Sequence, residues 1–381
     1  MIDVTHYFCF YVNEKLKKKL VFFQTAVPKI EYVIESLNVA EEKTVVVSAC
    51  SSNKGLVKCQ NYNINERQKA LFFSTFGFKN TFLKKINTFI CMLQHILYVL
   101  FKVKKNDNVL VYHSLYYGFL YPFLKMKKCN IIEEVEEIYV DVLKSINKPK
   151  KYILDKEKSE KKIFKYADKY IYVSKLLAKQ VNIQKPYVVL MGTYDVSHKK
   201  FVKVKDGKTH LLYSGTFVED KGVNRAIAIA GALDDRFVMH ISGFGTKEQV
   251  EKVKKSIALQ NFGAKIIYHG CLDYAINKEL AEKCHIGLCV QDCNATYNNT
   301  SFPSKILFYL SCGLTVISPK MRALMESELN EVIIQYDNES PVQIANTIKK
   351  IDVSENSNSS SVIERLDKEF KEKIKDLLQI H

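Results

Sequence analysis

A chain of 381 residues with 47% apolar side chains is long enough for two α/β domains, and too apolar for global disorder. Its net charge of +16 is lopsided: residues 1–185 carry 32 Lys/Arg against 17 Asp/Glu, net +15, leaving +1 for residues 186–381. That excludes one uniform surface, and suits either a first half that meets anionic lipid headgroups or phosphates, or a Lys-rich solvated face.

The start, MIDVTHYFCFYVNEKLKKK, has its charges after the apolar stretch, and Asp3 and His6 interrupt it, so it does not read as a signal peptide. A cytoplasmic protein is expected. In the first half, apolar runs predict strands at 20–23, 44–48, 109–112, 130–133 and 170–173. Helical patterns occupy 30–37, 81–101, 156–166 and 175–180. The run 86–103, INTFICMLQHILYVLFKV, is flanked by Lys84, Lys85, Lys104 and Lys105. Asn87, Gln94 and His95 make it a poor membrane span, so a core helix is expected, with a helix lying at the membrane surface as the second reading. His113 ends the strand at 109–112, as a core residue or an acceptor-side one.

The stretch IIEEVEEIYVD places Glu133, Glu134, Glu136, Glu137 and Asp141 within nine residues of a very basic half. A solvated face would explain it. So would carboxylates at a strand's C-terminal end that act as a base or hold a sugar hydroxyl; Glu137 and Asp141 share a face if the turn is helical. A linker is expected near 184–193.

The second half has a clearer rhythm. Strands are predicted at 211–214, 237–242, 265–268, 286–290, 314–318 and 332–336. Helices are predicted between most of them, at 223–233, 246–259, 275–283, 303–312 and 341–351. This alternation implies a parallel sheet covered on both faces, with the loops after the strands gathered along one edge. Four segments reach that edge. LLYSGTFVEDKGV offers Gly215 for close approach and Lys221 beside a helix start. SGFG holds Gly243 and Gly245, and HGCL follows the next strand. SFPSKILFYLSCG is a helix delimited by Thr300 or Ser301, Pro303 and Gly313, with Lys305 near its mouth. Cys284, His285, Cys289 and Cys293 lack paired C-x-x-C spacing and overlap a predicted buried strand, so reduced core thiols are expected and no metal. A polar connector at 354–361 precedes an amphipathic helix at 362–380, expected to pack on the N-terminal domain.

The order YSGTFVEDKGV, HISGFG, IIYHGCLD, IGLCVQD, SFPSKILFYLSCGLTVIS, preceded by YIYVSKLLAKQ and VVLMGTYD, resembles the donor-binding domain of glycosyltransferase family 4 over roughly residues 170–351. The resemblance implies the GT-B fold, an α/β architecture of two Rossmann-like domains facing each other across a cleft. Residues 1–188 would form the acceptor side, 189–352 the nucleotide-sugar domain, and 362–381 the returning helix. It implies a nucleoside-diphosphate sugar, UDP-sugar favoured, as donor substrate, with no cofactor or metal required. Gly215, Thr216 and Lys221 would lie near the diphosphate, and Ser301, Phe302, Ser304 and Lys305 at the second helix mouth. Gly243, Gly245 and the Gly270, Cys271, Leu272 backbone would lie near the nucleoside.

The chain also departs from the family. The two Glu that many members carry align with Thr300 and Phe308. Thr216 and Phe217 stand where an Arg is common, and QTAVPKIEY replaces the N-terminal glycine-rich loop. The EEVEE stretch replaces the acceptor-side His, which moves the catalytic expectation to Glu136 or Glu137, with His113 as a further candidate. The SFPSK version resembles branches that make capsule, O-antigen or galactofuranose-containing polymers. The expected reaction is sugar transfer to a lipid-linked or polysaccharide acceptor at the cytoplasmic membrane face, with peripheral contact to anionic lipid and no nucleic acid. A nucleotide-sugar epimerase and a non-catalytic subunit partnering an active transferase are the alternatives.

Overall fold

The computed structural model describes residues 4–23, 26–40, 43–146, 148–196, 201–260, 263–292, 302–337, 340–353 and 359–379. The chain divides into one unit of Met1–Val173, Leu177–Thr193 and Lys368–His381, and another of Ser174–Leu176 and Tyr194–Asp367.

The first unit's strands are β1 (Val4–Cys9), β2 (Lys43–Ser48), β3 (Gly55–Val57), β4 (Gln60–Asn63), β5 (Gln68–Phe72), β6 (Thr75–Gly77), β7 (Asn108–Tyr112), β8 (Asn130–Val135), β9 (Lys169–Tyr172) and β10 (Tyr187–Val189). Eight form one sheet in the order β10-β9-β8-β7-β1-β2-β5-β4, parallel except where β4 meets β5; β3 and β6 pair as a separate antiparallel ribbon. Its helices are α1 (Val27–Leu37), α2 (Thr81–Lys102), α3 (Tyr121–Lys127), α4 (Tyr139–Ser145) and α5 (Lys150–Tyr166), and α6 (Lys175–Val181) follows at the unit boundary.

The central strand β1 was not among the predicted strands. Thr5 and His6 break its apolar run, yet both are buried. His6 is satisfied there, with Nδ1 2.8 Å from the Tyr98 hydroxyl and Nε2 3.2 Å from Asp107. The strand expected at 20–23 is reduced to one bridge between Leu20 and Ser52.

The expected core helix at 81–101 exists as α2, but its orientation corrects the reading. Asn87, Cys91, His95 and Val99 face inward. Phe82, Ile86, Phe89, Ile90, Leu93, Leu97 and Phe101 face outward. No helix among the described residues is long and apolar enough to cross a membrane.

The second unit's strands are β11 (Thr209–Thr216), β12 (Phe237–Phe244), β13 (Lys265–Gly270), β14 (Ile286–Leu288), β15 (Thr315–Pro319) and β16 (Ile333–Tyr336). All are parallel, in the order β13-β12-β11-β14-β15-β16. Helices α7 (Val223–Ala232), α8 (Lys247–Ala258), α9 (Tyr274–Lys283), α10 (Lys305–Ser311), α11 (Arg322–Met325) and α12 (Pro341–Ile348) complete the unit. Leu211, Tyr213, Met239 and Ile241 from the sheet pack with Ile227 and Ala230 of α7 and Ile344 and Ile348 of α12. Both sheets start in the middle, grow to one side and then reverse. The reversal leaves a switch point between β11 and β14, and another between β1 and β7, the position at which open parallel sheets receive ligands at their carboxyl edge.

The last helix, α13 (Ser359–Gln379), ends within the first unit. Phe370 packs on Tyr32 with ring centroids 5.9 Å apart. Asn108 Nδ2 donates to the Leu378 carbonyl at 3.2 Å, and Lys169 Nζ to the Leu377 carbonyl at 2.8 Å.

Candidate functional site

The second unit's switch point is built from the end of β11. Its residues Ser214, Gly215 and Thr216 are held from two sides. Tyr309 of α10, buried in the sheet, accepts the Ser214 N–H at 2.8 Å. The Tyr213 hydroxyl lies 3.0 Å from the carbonyls of both Thr216 and Lys221, which folds the intervening loop back on the strand. That loop enters α7 through Gly222, at φ +88°, where a Cβ would stand 2.1 Å from the Val290 carbonyl oxygen. Only glycine lets the two switch-point loops touch. Across that contact Arg225 Nη1 donates to the Val290 and Gln291 carbonyls at 3.2 and 3.3 Å, and the Asp292 N–H to the Asp220 carbonyl at 2.8 Å. No side chain caps the start of α7.

Lys305 projects into this frame from the start of α10. Its ammonium sits 4.6 Å from the centroid of the Tyr213 ring and 3.5 Å from the Lys221 carbonyl, and lies 3.4 Å from where a Cβ on Gly215 would be. No carboxylate pairs with it among the described residues. Burial draws its pKa below the ordinary ammonium value; Lys221 adds to the fall, and Cys289 and Asp220 oppose it. A half-buried cation with no carboxylate in ion-pair contact is costly unless a ligand supplies one.

The glycines form a shelf beside it. Gly215 on β11 pairs with Gly243 on β12, and Ser242 with Gly270 on β13. A Cβ on Gly243 would lie 1.9 Å from the Gly215 carbonyl oxygen, whereas Gly270, at φ +70°, faces open space. The structure thus brings Gly215, Thr216, Lys221, Gly243 and Lys305 together, with Gly270 on the adjoining strand. Gly245 lies just past β12, with Phe217 and Gln249 against it, and Cys271 is exposed after β13, followed by half-buried Leu272. Phe302 is buried and Ser304 exposed, and the helix begins at Lys305 rather than at the expected 303. Ser301 and Thr300 lie outside the described residues. Phe308 packs against Tyr274 and Tyr309 at 6.0 and 5.8 Å. Among the described residues no group of His, Cys, Asp and Glu is arranged to hold a metal.

In the first unit, the acidic strand β8 sends carboxylates to both faces. Glu133 Oε1 meets His113 Nδ1 at 2.8 Å, Glu160 Oε1 meets Nε2 at 3.0 Å, and Phe164 stacks on the ring at 5.0 Å. Burial alone would depress the His113 pKa, but hydrogen bonds to the two carboxylates outweigh it and raise it to about 9. Glu133 also accepts from the Tyr121 hydroxyl, and Glu160 from the N–H groups of Tyr139 and Val140 at 2.5 and 3.2 Å. Buried with both ring nitrogens occupied by carboxylates, His113 has the surroundings of a core residue, the other of the two roles its position in the sequence allows.

On the other face, Glu134 is fully buried. It accepts from the Tyr7 hydroxyl at 2.5 Å, and its Oε1 has no partner among the described residues. Burial raises its pKa to about 7 against the opposing pull of Lys29. Lys29 Nζ pairs with Glu136 and donates to the Leu190 carbonyl at 3.1 Å. Glu136 is therefore tied down, and Glu137 sits half-buried on the bend before α4. The sequence reading names Glu134 in the acidic stretch but does not single it out from Glu136 and Glu137. Helical spacing drew attention to Glu137 and Asp141, whereas strand alternation governs here.

No protein-family model and no curated protein sequence matches the chain. Solved structures do. Sucrose-phosphate synthase from Thermosynechococcus elongatus superposes with a TM-score of 0.72 at 12% identity, covering 98% of each chain. An alpha,alpha-trehalose-phosphate synthase (UDP-forming) from Burkholderia xenovorans, in complex with glucose-6-phosphate, gives 0.68 at 7% identity, over 99% of this chain and 100% of that one. An E. coli structure described as trehalose-6-phosphate bound with UDP-2-fluoro glucose gives 0.65 at 10%, over 98% and 99%. At such identities the likeness establishes the fold: this chain has the GT-B architecture, with two Rossmann-like domains. None of these three is a capsule or O-antigen enzyme.

Proposed function

We propose that the chain is a glycosyltransferase that takes a nucleoside-diphosphate sugar, UDP-sugar favoured, at the switch point of its second unit. The observation that carries this reading is the Lys305 ammonium, without a carboxylate partner among the described residues, beside Gly215 and the uncapped start of α7. A diphosphate supplies the missing counter-charge, and the N–H groups at a helix start favour the same anion. As the glycosidic bond to the donor breaks, negative charge grows on the leaving diphosphate. Lys305 and α7 then stabilise the transition state more than the ground state. On the acceptor side, Glu136 or Glu137 would receive the hydroxyl proton, with Lys29 and Glu134 positioning the bend that carries them.

The acceptor is proposed to be membrane-borne, which the outward apolar face of α2 supports. Phe82, Phe89 and Phe101 are 69%, 67% and 78% exposed, and Lys84, Lys85, Lys102, Lys104 and Lys105 flank them. An apolar stripe rimmed by lysines fits the interface of an anionic bilayer. A sugar-phosphate acceptor is the second reading, favoured by the neighbour solved with glucose-6-phosphate.

Calorimetric titration with UDP tests the donor site. Wild type is expected to bind, and Lys305→Met to bind about 10- to 100-fold more weakly, the loss of one charge-assisted contact. Equal affinities would remove Lys305 from the site, and no binding of any nucleoside diphosphate would favour the non-catalytic subunit. Labelled donor offered to lipid extract or to glucose-6-phosphate then separates the two acceptors. Interconversion of the donor sugar without nucleotide release would mark an epimerase.

A further inference from the structure

Four histidines lie on or beside the second sheet, and three of them join into a ladder across it. His210, near the start of β11, has Nε2 3.1 and 3.2 Å from the two carboxylate oxygens of Asp206. His210 Nδ1 lies 2.8 Å from His240 Nε2 on β12, and His240 Nδ1 lies 2.9 Å from His269 Nε2 on β13. Successive ring planes differ by only 27° and 16°, so the bonds run nearly in line. His285 stands to the side, its Nδ1 accepting the His210 backbone N–H at 3.0 Å. The ladder climbs the sheet from exposed Asp206 to the carboxyl edge, ending one residue before Gly270 on the glycine shelf.

The chemistry of the ladder fixes its polarity. A neutral imidazole has one N–H and one lone pair. Asp206 can only accept, so a neutral His210 carries its hydrogen on Nε2 and offers Nδ1 as acceptor. His240 must then donate from Nε2, and His269 likewise. Burial, with the neighbouring imidazoles, holds the His240 pKa down to about 4, and burial lowers that of His269, in keeping with neutral rings. The outcome is a lone pair on His269 Nδ1, an atom without a protein partner among the described residues. At β13 the register slips between Ile241 and Ser242, so that Gly270 takes the place beside Ser242 that His269 would otherwise occupy. Such a bulge re-aims the side chain it carries.

We infer that His269 is the base-selecting residue of the donor site, its Nδ1 accepting the ring N–H of uracil, thymine or guanine. Adenine and cytosine present a ring nitrogen that is itself an acceptor at that place, and are disfavoured. The inference rests on the reading of the switch point as a nucleoside-diphosphate site. From Lys305 the shelf of Gly215, Gly243 and Gly270 runs across two strand spacings, about 10 Å. Without side chains in the way, a nucleoside can lie along it and bring its base to His269.

The test uses the full chain and five ligands: UDP, dTDP, GDP, ADP and CDP. The first three are expected to bind about tenfold or more tightly than the last two, one buried hydrogen bond being worth roughly that factor. His269→Phe should erase the gap by weakening UDP while leaving ADP unchanged, and His269→Gln, whose amide oxygen can accept, should restore part of it. Nitrogen-15 histidine spectra of the free protein should show the hydrogen on Nε2 of His210, His240 and His269, and Asp206→Ala should mix those tautomers. Five equal affinities, a gap that survives His269→Phe, or a hydrogen on His269 Nδ1 would overturn base selection and leave the diphosphate site standing. Failure of all five to bind would remove that site and the selection with it.

Discussion

Two glycines in similar backbone conformations have different reasons to be glycine. Gly222, at φ +88°, faces the Val290 carbonyl, and Gly270, at φ +70°, faces space. Gly222→Ala must therefore both strain its backbone and push apart two loops that Arg225 clasps. A loss above about 3 kcal/mol of stability, with loss of UDP binding, is expected. Gly270→Ala carries only the backbone term, on the order of 1 kcal/mol. Urea unfolding of both variants checks the contrast, and equal losses would mean that the loop contact contributes nothing. His113 makes a second residue-scale claim. Its pKa is raised from an ordinary 6.5 to about 9, so the folded state holds a proton that the unfolded chain releases earlier. The resulting stabilisation is complete below pH 6.5 and is lost as pH rises through 9, by roughly 1–3 kcal/mol. Unfolding midpoints at pH 6.5 and 9.5 should show this fall, and it should be absent in His113→Phe. Lys305 was legible in the sequence because glycine, proline and lysine punctuate its helix. What sets Glu134 apart from its acidic neighbours was not: it depends on Tyr7 of β1, a strand whose polar residues hid it, and on desolvation that no spacing rule reports.

At the scale of elements, α2 inverts the usual amphipathic logic. Its buried stripe contains Asn87 and His95, each with a defined partner: the Asn87 Oδ1 accepts the Phe76 N–H at 2.9 Å, and His95 Nδ1 lies 2.6 Å from the Cys91 carbonyl. Its solvent stripe is the greasier one. Sequence periodicity showed that an apolar face existed but not which way it turned, because polar residues that find a partner inside look the same on paper as polar residues in water. Phe89→Glu with Phe101→Glu should leave the melting temperature within about 2 °C, since these side chains pack on little. The same pair should abolish flotation with anionic liposomes at low salt. Wild-type protein that fails to float would retire the membrane-borne acceptor and leave the sugar-phosphate reading. Elsewhere the parallel strands of the second sheet were readable, each a mostly apolar run followed or preceded by a helix. The short ribbon of β3 and β6 was not, three residues being too few for alternation to register.

At the scale of the whole chain, the same winding order occurs twice, and the last helix stitches the sequence's end to its beginning. α13 starts in the second unit and gives Phe370, Ile374, Leu377 and Leu378, all buried, to the first. Four such side chains are worth on the order of 6–12 kcal/mol of burial, comparable to the net stability of a domain. Two further buried donors, Asn108 Nδ2 and Lys169 Nζ, lose their carbonyl acceptors if the helix is removed. A chain ending at residue 353 should therefore lose the thermal unfolding transition of its first unit. The second, whose core is closed by α12 at Ile344 and Ile348, should still melt cooperatively and still bind UDP. Calorimetry would show one transition in place of two. If both survived truncation, the returning helix would be an ornament on a self-sufficient first unit, and its buried face would need another explanation. The amphipathic pattern at 362–380 announced a helix that had to be covered; only the long-range packing of Phe370 on Tyr32 and the carbonyl contacts of its last turn identify the surface that covers it.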